Sequence, residues 1–288
     1  MAVTKFLDPK NDYAFKRIFG TEKNKAILLH FLNDILPLPA GEKIQNVTFL
    51  KPVQDPEVAS KKQSIVDVLC VDEKGVQYIV EMQVARTDGF AKRAQYYASK
   101  AYSNQMSNDD AYQNLKAVIF LAITDFVMFP DKKGYKSNHV ILDKDSYVHD
   151  LKDFSFTFCE LPKFTKTIDE LTTLEDKWMY FFKHATHTDP EELKKITGPD
   201  IVIRQAYDAL DQFYWSEEEL RTYEREKKSE LDGKAMLSYA RSEGKAEGKA
   251  EGKAEAMKQV AKNMIAQGIN IDTIISLTSI SKDDLEAL

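Results

Sequence analysis

Two acids and one amide interrupt an otherwise apolar stretch of the sequence. Asp67, Glu81 and Gln83 lie within residues 64–84, which are rich in β-branched and aromatic side chains. That composition predicts two strands joined by a turn. Carboxylate and amide oxygens are hard ligands, better suited to Mg²⁺ or Mn²⁺ than to zinc. Because such an ion polarises a phosphoryl oxygen and lowers the pKa of a bound water, these side chains point to metal-assisted phosphoryl chemistry.

The turn between the two strands decides whether the acids meet. A three-residue loop that ends at Gly75, where glycine supplies the positive φ of the last position, pairs Asp72 with Val76. Counting along both strands from that pair places Asp67 directly opposite Glu81. A four-residue loop would instead put the two acids on opposite faces, so the shared face depends on the length of the turn.

Two opposed carboxylates need a counter-charge. Directly opposed residues have Cβ atoms about 5 Å apart, and like charges at that distance are destabilising. Strands this apolar are typical of a sheet centre that is covered on both faces. A divalent cation is the simplest counter-charge. Two other interpretations stay open: the pair lies on a solvated edge, or an Arg or Lys neutralises one acid.

The residues around these acids resemble a known nuclease family. Asp67, followed after a short hairpin by Glu81-Met82-Gln83, is similar to the D…(D/E)xK core of the PD-(D/E)xK nucleases, with Gln in place of the lysine. The flanking features that strengthen this resemblance are Asp12-Tyr13-Ala14-Phe15-Lys16, Arg93 with Tyr96 and Tyr97, and Tyr112 ahead of residues 115–119. Together they resemble the recombination-promoting nuclease (Rpn) family, often labelled PD-(D/E)xK family transposases. The resemblance covers about residues 6–126, and more loosely the rest.

This resemblance implies a fold and an activity. The fold class would be α/β, with a PD-(D/E)xK restriction-endonuclease-like αβββαβ core and an all-helical C-terminal extension. The activity would be that of a Mg²⁺-dependent endodeoxyribonuclease, in which Mn²⁺ substitutes for Mg²⁺ and DNA is the partner. The implied metal ligands are Asp67, Glu81 and the Met82 carbonyl, and the implied catalytic residues are Asp67, Glu81, Gln83, Asp12 and Lys16. RNA cleavage with the same metal site, or a non-catalytic binding module, are the alternatives.

Gln83 departs from the family motif. It carries no charge, so it cannot neutralise a phosphate or assist proton transfer as a lysine would. We therefore expect the cation to come from Lys16, Lys92 or Lys100. Asp12 and Lys16 lie four residues apart in a predicted helix and share a face, and the ordinary alternative for them is an exposed ion pair of little energetic weight.

A second basic group belongs to the helix predicted for residues 90–106. Its polar side carries, at spacings of three and four, Lys92, Arg93, Tyr96 and Lys100. In this fold class the helix flanks the active site, so these side chains would contact nucleic-acid phosphates. A solvated basic face with aromatic core contacts is the alternative.

The apolar pattern predicts the elements that position these residues. We expect, in chain order, a helix over 11–35 broken near Gly20, a strand over 44–53, a loop over 54–63, the central hairpin, the helix over 90–106 and a buried strand over 115–124. This order of helix, three strands, helix and strand is the αβββαβ core. Further expectations are edge strands at 140–142 and 154–161, and helices at 178–184 and 201–215.

Composition and charge limit the class of protein. The chain has 288 residues, 43% of them apolar, and a net charge of −6. Residues 1–110 carry fifteen Lys and Arg against fourteen Asp and Glu, so the acidity lies in the C-terminal part and any DNA binding should be modest and salt-sensitive. The N-terminus has no signal-peptide pattern, no apolar run spans a bilayer and both cysteines fall in strand-like runs. We expect a cytoplasmic protein, without membrane contact or organic cofactor.

The C-terminal part is charged and helix-prone. Residues 244–255 repeat Gly-Lys-Ala-Glu three times. A four-residue period stacks like charges on a helix, and each Gly costs about 1 kcal/mol relative to Ala, so we expect a weak helix that acts as a semi-flexible spacer. Alternatively, the Gly and Ala stripes let two helices associate. The tail should form three short helices, with the first ending at Gly268 and the last capped by Ser281.

These patterns divide the chain into four parts. They are a nuclease-like core (1–165), a helical extension (166–240), the charged spacer (241–256) and a small helical tail (257–288). The tail resembles a helix-turn-helix remnant. Because its last helix carries several acids that would repel phosphates, we expect docking or homodimerisation through the C-terminal helices rather than DNA reading.

Overall fold

A mixed sheet forms the centre of the fold in the computed structural model, which describes residues 5–39, 41–54, 64–106 and 111–286. The strands are β1 (Val47–Phe49), β2 (Val53–Gln54), β3 (Ser64–Ile65), β4 (Val68–Asp72), β5 (Gln77–Gln83), β6 (Val118–Thr124), β7 (Lys136–Val140) and β8 (Phe154–Glu160). Six of them pair in the order β1-β4-β5-β6-β8-β7, while β2 and β3 form a separate pair. β5, β6 and β8 are parallel, and β1, β4 and β7 are antiparallel to their neighbours.

Helices precede, interrupt and follow the sheet. They are α1 (Asp12–Phe19), α2 (Lys25–Ile35), α3 (Phe90–Ser103), α4 (Leu174–His184), α5 (Pro190–Thr197), α6 (Ile201–Leu210), α7 (Glu217–Ala266), α8 (Ile271–Thr278) and α9 (Lys282–Glu286). The order of the first elements is therefore helix, strands, helix, strand. The predicted αβββαβ core with a helical C-terminal extension is confirmed.

Helices cover both faces of the central strands. Alternate residues of a strand point to opposite faces, and in β5 Val80 contacts a large core shared with α1, α2, α4 and α6, whereas Ile79 contacts a smaller core shared with α3. β6 alternates in the same way and is almost entirely buried. The prediction that these strands lie at a covered sheet centre is confirmed.

The N-terminal helices follow the sequence signals. The Asn11 side chain accepts from the backbone N–H groups of Tyr13 and Ala14, which caps α1. The helix ends at Gly20, as predicted, and α2 ends at Ile35, shortly before Pro37. Among the described residues, no helix is both long and apolar enough to cross a bilayer.

Several predicted boundaries are wrong. The strand predicted for 44–53 is split into β1 and β2, and Pro52, which has no N–H to give to a ladder, lies between them. Of the predicted loop over 54–63, Gln54 lies in β2 and residues 55–63 lie outside the described part of the chain. The helix predicted for 201–215 ends at Leu210 and is followed by a short 3₁₀ turn.

The far side of the sheet also differs from the prediction. β7 covers Lys136–Val140 instead of 140–142, and β8 lies between β6 and β7 rather than at an edge. The physical reason is visible in the sequences of the two strands. β8 is apolar enough to be buried between two neighbours, whereas the polar β7 suits a position at the edge.

The chain forms two compact units, Met1–Glu226 and Lys227–Leu288. In the second unit α7 continues through the whole Gly-Lys-Ala-Glu repeat, so the repeat is helical, and the weakness of this helix stays a prediction. Ala, Lys and Glu are strong helix formers, and their preference outweighs three glycines. Two details of the tail follow the prediction, since Gly268 has a φ of 76° and Ser281 Oγ accepts from the Asp284 N–H. The first of the three predicted short helices is instead the end of the 50-residue α7. The four-part division and self-association stay predictions.

Candidate active site

The hairpin that joins β4 and β5 has the predicted register. Gly75 has a φ of 86°, and the Asp72 N–H donates to the Val76 carbonyl at 2.9 Å. Val68 pairs with Val80, so the residue before Val68 comes opposite the residue after Val80. The three-residue loop is therefore confirmed, and with it the placement of Asp67 opposite Glu81.

The two acids bind to each other's backbone segments. The Asp67 N–H donates to Glu81 Oε1 at 3.1 Å, and the Met82 N–H donates to Asp67 Oδ2 at 2.9 Å. These side-chain hydrogen bonds take the place of the backbone hydrogen bonds that join β4 and β5 further along. Asp67 accordingly lies in a bend just before β4, and the prediction that it lies within a continuous first strand is wrong.

Both acids are shielded from solvent. Glu81 is 2% exposed, and the Asp67 side chain is 13% exposed. Burial raises the pKa of both carboxyls, and the charge of Asp67 raises the pKa of Glu81 further. The pair therefore favours a shared proton or a bound cation, because burial disfavours two bare negative charges.

Lys16 reaches this pair from α1. Its Nζ lies 2.7 Å from Asp12 Oδ1 and 3.5 Å from Asp67 Oδ1. Burial works against the charged ammonium, but the hydrogen bond to Asp12 and the charge of Asp67 outweigh it and raise the pKa of Lys16. Asp12, whose side chain is 50% exposed, is thus joined to the buried acids through Lys16.

Gln83 links the acids to α3. Its Nε2 donates to Glu81 Oε2 at 2.9 Å, while its Oε1 accepts from Arg93 Nη2. The Arg93 guanidinium also lies 4.9 Å from the centre of the Phe90 ring. Arg93 therefore belongs to the site itself rather than to an exposed basic face.

The other residues predicted on the polar side of α3 are placed differently. Lys92 and Tyr96 are exposed, and Lys100 is half-buried two helical turns beyond Arg93. Contact of these three with nucleic acid stays a prediction. The structure brings Asp67, Glu81, Gln83, Lys16 and Arg93 together, with Asp12 at the solvent side.

Two neighbours of the site were not predicted as site residues. Tyr97, one turn beyond Arg93, is half-buried, and burial is the main cause that raises its pKa, with the charges of Arg93 and Glu81 acting on it as well. Asp125 follows β6, donates its N–H to the Gln83 carbonyl at 2.9 Å and pairs with Lys10 at 3.0 Å. Both had a signal: the i,i+4 spacing from Arg93, and a position at the carboxyl end of a parallel strand.

Comparison with known proteins decides the family. The sequence model of the family described as PD-(D/E)XK nuclease family transposase matches residues 9–240. The chain belongs to this family. No curated protein and no solved structure matches the chain. The matched segment contains the whole candidate site, and membership supports a nuclease-like function on a nucleic-acid substrate.

PD-(D/E)XK nucleases generally use divalent metal ions, so the site of this family member must offer suitable ligands. The described residues hold no cluster of three or more His, Cys, Asp and Glu side chains for a metal. Mg²⁺, however, usually takes one or two carboxylates, with waters and substrate phosphates as its other ligands. Asp67 and Glu81 fit that pattern.

The predicted third ligand is a backbone oxygen, the Met82 carbonyl. The Met82 N–H points toward Asp67, and in an extended strand the N–H and carbonyl of one residue point to the same side. The Met82 carbonyl therefore points to the β4 side of β5, at a level before the first residue of β4. With the two carboxylates it would make a hard oxygen donor set that suits Mg²⁺ or Mn²⁺.

Proposed function

We propose that this protein is a Mg²⁺-dependent endonuclease that hydrolyses phosphodiester bonds in DNA. The observation that carries the proposal is the buried pair of Asp67 and Glu81, each bonded to the other's backbone segment in a member of a nuclease family. Burying two carboxylates side by side is costly without a compensating cation. Lys16 offsets part of the charge at Asp67, and the proposed metal would offset the rest.

The residues of the site would each have a separate role in hydrolysis. Asp67, Glu81 and the Met82 carbonyl hold the metal, and Gln83 fixes one carboxylate oxygen of Glu81. The bound ion would supply a polarised phosphoryl oxygen and a water of lowered pKa. Lys16 neutralises part of the charge at Asp67 and holds that carboxylate toward α1. Mn²⁺ should substitute for Mg²⁺, since both prefer oxygen ligands.

DNA is the substrate that we infer. The family label of transposase favours DNA over RNA and a role in recombination or mobile-element biology. Lys92, Tyr96 and Lys100 on α3 would contact the phosphates that flank the scissile bond. Because the first 110 residues carry nearly equal numbers of acids and bases, binding should weaken steeply with salt. Two buried thiols, Cys70 and Cys159, suit the cytoplasm.

Nicking of supercoiled plasmid at low salt tests the proposal. Wild type, Asp67→Asn and Glu81→Gln are compared with Mg²⁺, Mn²⁺, Ca²⁺ or EDTA, and Asp169→Asn, a change in a side chain that is 82% exposed, is the matched control. We expect cleavage with Mg²⁺ and Mn²⁺ that both site variants lose and the control keeps. Equal cleavage by all four proteins would indicate a contaminant.

Two further experiments distinguish DNA cleavage from RNA cleavage and from a non-catalytic role. A structured RNA replaces the plasmid in one, and faster cleavage of RNA would show a ribonuclease. In the other, thermal unfolding is followed with and without Mn²⁺, which should stabilise wild type by mass action. No cleavage and no stabilisation would leave a non-catalytic binding module.

A further inference from the structure

We propose that Arg93 supplies, at the scissile phosphate, the positive charge that the lysine of the PD-(D/E)XK motif would bring. This role rests on the phosphodiester hydrolysis proposed above. Gln83 stands at the lysine position and is neutral. The cation must therefore come from another element, and α3 presents a guanidinium to Gln83 itself.

The chemistry of the three groups fixes the orientation of the Gln83 amide. An ionised carboxylate only accepts hydrogen bonds and a guanidinium only donates them. The amide must therefore turn its NH₂ to Glu81 and its oxygen to Arg93, as the structure shows. Gln is one of the few side chains that can serve both neighbours at once, so its presence at this position suits a site in which the cation lies on the adjacent helix.

Arg93 has donors to spare for a phosphate. A guanidinium carries five N–H donors in a planar fork that matches phosphate oxygens. One of these donates to Gln83 and the Nε is buried, so the remaining donors of the two terminal nitrogens are the ones that a phosphate would meet. A phosphate held by the metal would bring several acceptor oxygens to this side of Glu81.

The charge of Arg93 is also less neutralised by nearby carboxylates than the charge of Lys16. Lys16 lies within ion-pair distance of two carboxylates, Asp12 and Asp67. Among the described residues, Arg93 has no carboxylate within 4.0 Å, and its bonding partner Gln83 is neutral. Its charge nonetheless acts on Glu81 and lowers the pKa of that carboxyl against the larger effect of burial.

The first turn of α3 holds Arg93 in place. Phe90, three residues earlier, is 4% exposed and contacts the rings of Phe120 and Phe158 in the smaller core. The Arg93 N–H donates to the Gly89 carbonyl at 2.9 Å, which closes the first helical turn. A cation fixed this way needs little reorganisation when substrate binds, which is the condition for strong electrostatic stabilisation of a transition state.

Moving the charge back to its motif position gives a sharp test. Arg93→Gln should lower kcat with Mg²⁺ on a short DNA duplex by about 100-fold, the size seen when a preorganised donor is removed. The double variant Gln83→Lys with Arg93→Gln should regain at least a tenth of the wild-type rate, because it restores a cation beside Glu81. The Mn²⁺-induced rise in melting temperature should not become smaller in Arg93→Gln, since Arg93 is no metal ligand and its loss removes only a positive charge near Glu81.

Arg204→Gln, on the exposed side of α6, is the matched control and should cleave at the wild-type rate. Arg93→Gln cleaving as fast as this control, or a double variant no faster than Arg93→Gln, would overturn the role. If Arg93→Gln does not fold, Arg93→Lys and Arg93→Met decide: kcat should stay within about tenfold of wild type in the lysine variant, which keeps the charge, and fall about 100-fold in the methionine variant, and equal kcat values in the two overturn the role. A wild-type chain without metal-dependent cleavage overturns the proposed hydrolysis itself.

Discussion

The ammonium of Lys16 lies 3.5 Å from Asp67 Oδ1, on one of the two acids proposed to bind the metal. A cation in that position repels a second one, at a cost of about 1 kcal/mol between charges roughly 4 Å apart in water. We therefore expect Lys16→Met to bind Mn²⁺ about fivefold more tightly than wild type, as measured by calorimetry. Lys25→Met, which removes an ion pair of α2 instead, is the control. Weaker Mn²⁺ binding by Lys16→Met would show that Lys16 supports the metal site.

The raised pKa values predict how stability depends on pH when metal is absent. Without metal, burial raises the pKa of Asp67 and of Glu81 above the ordinary values near 4, and the charge of Asp67 raises the pKa of Glu81 further. The folded state thus binds more protons than the unfolded state between pH 4 and pH 8, so the free energy of unfolding falls as pH rises through this range. We expect the free energy of unfolding to be lower at pH 8 than at pH 5 by at least about 1 kcal/mol, the equivalent of one pKa unit, measured by urea unfolding.

Glu81→Gln supplies the comparison for this pH dependence. It removes the more strongly shifted carboxyl and should flatten the fall in stability between pH 5 and pH 8. Saturating Mn²⁺ should flatten it in wild type for the same reason, since the cation stabilises the ionised pair. A wild-type profile as flat as that of Glu81→Gln in EDTA would mean that the two acids titrate normally.

The hairpin loop gives a stability prediction. Gly75 has a φ of 86°, and an added Cβ would lie 3.1 Å from the Lys116 side chain. Gly75→Ala should therefore lower the free energy of unfolding by about 1–2 kcal/mol, the cost of a left-handed conformation for a residue with a Cβ. Lys74→Ala, the neighbouring loop position in an exposed ion pair, is the control and should change stability little. Urea unfolding of both variants at one pH measures the difference.

The long helix gives the opposite kind of prediction. Gly244, Gly248 and Gly252 lie inside α7, and an added Cβ at any of them meets nothing within 4 Å. Changing all three to Ala should raise the helix content and the melting temperature at 222 nm, because each change favours the helix by about 1 kcal/mol. The reverse triple change of Ala246, Ala250 and Ala254 to Gly should lower both. Unchanged helix content in both triple variants would show that the repeat is not helical in solution.

The sequence was sufficient for the core because its signals were local. Turn length alone set the register from Gly75 back to Asp67, and the i,i+4 spacing set the shared face of Asp12 and Lys16. Uninterrupted apolar runs identified the buried strands. Each of these features depends on residues close together in the chain, which is why single-sequence reasoning reaches them.

The remaining features depend on contacts between distant segments. Asp67 lies outside β4, where its carboxylate accepts from the Met82 N–H fifteen residues away, and no local sequence pattern predicts that bond. Arg93 had the same polar-face signal as its neighbours on α3. Only the packing of α3 against β5 turned it toward Gln83. The roles of these residues in catalysis stay predictions that the variants above test.

The two-sided Gln83 amide has a consequence for how this family varies in sequence. A lysine at position 83 would face Arg93 as a like charge, and a neutral residue at 93 would leave Gln83 with no donor for its oxygen. Positions 83 and 93 should therefore change together among relatives: lysine at the first with a neutral residue at the second, or glutamine with arginine. The motif would then be better written as a pair of positions, one on β5 and one on α3, that share a single positive charge.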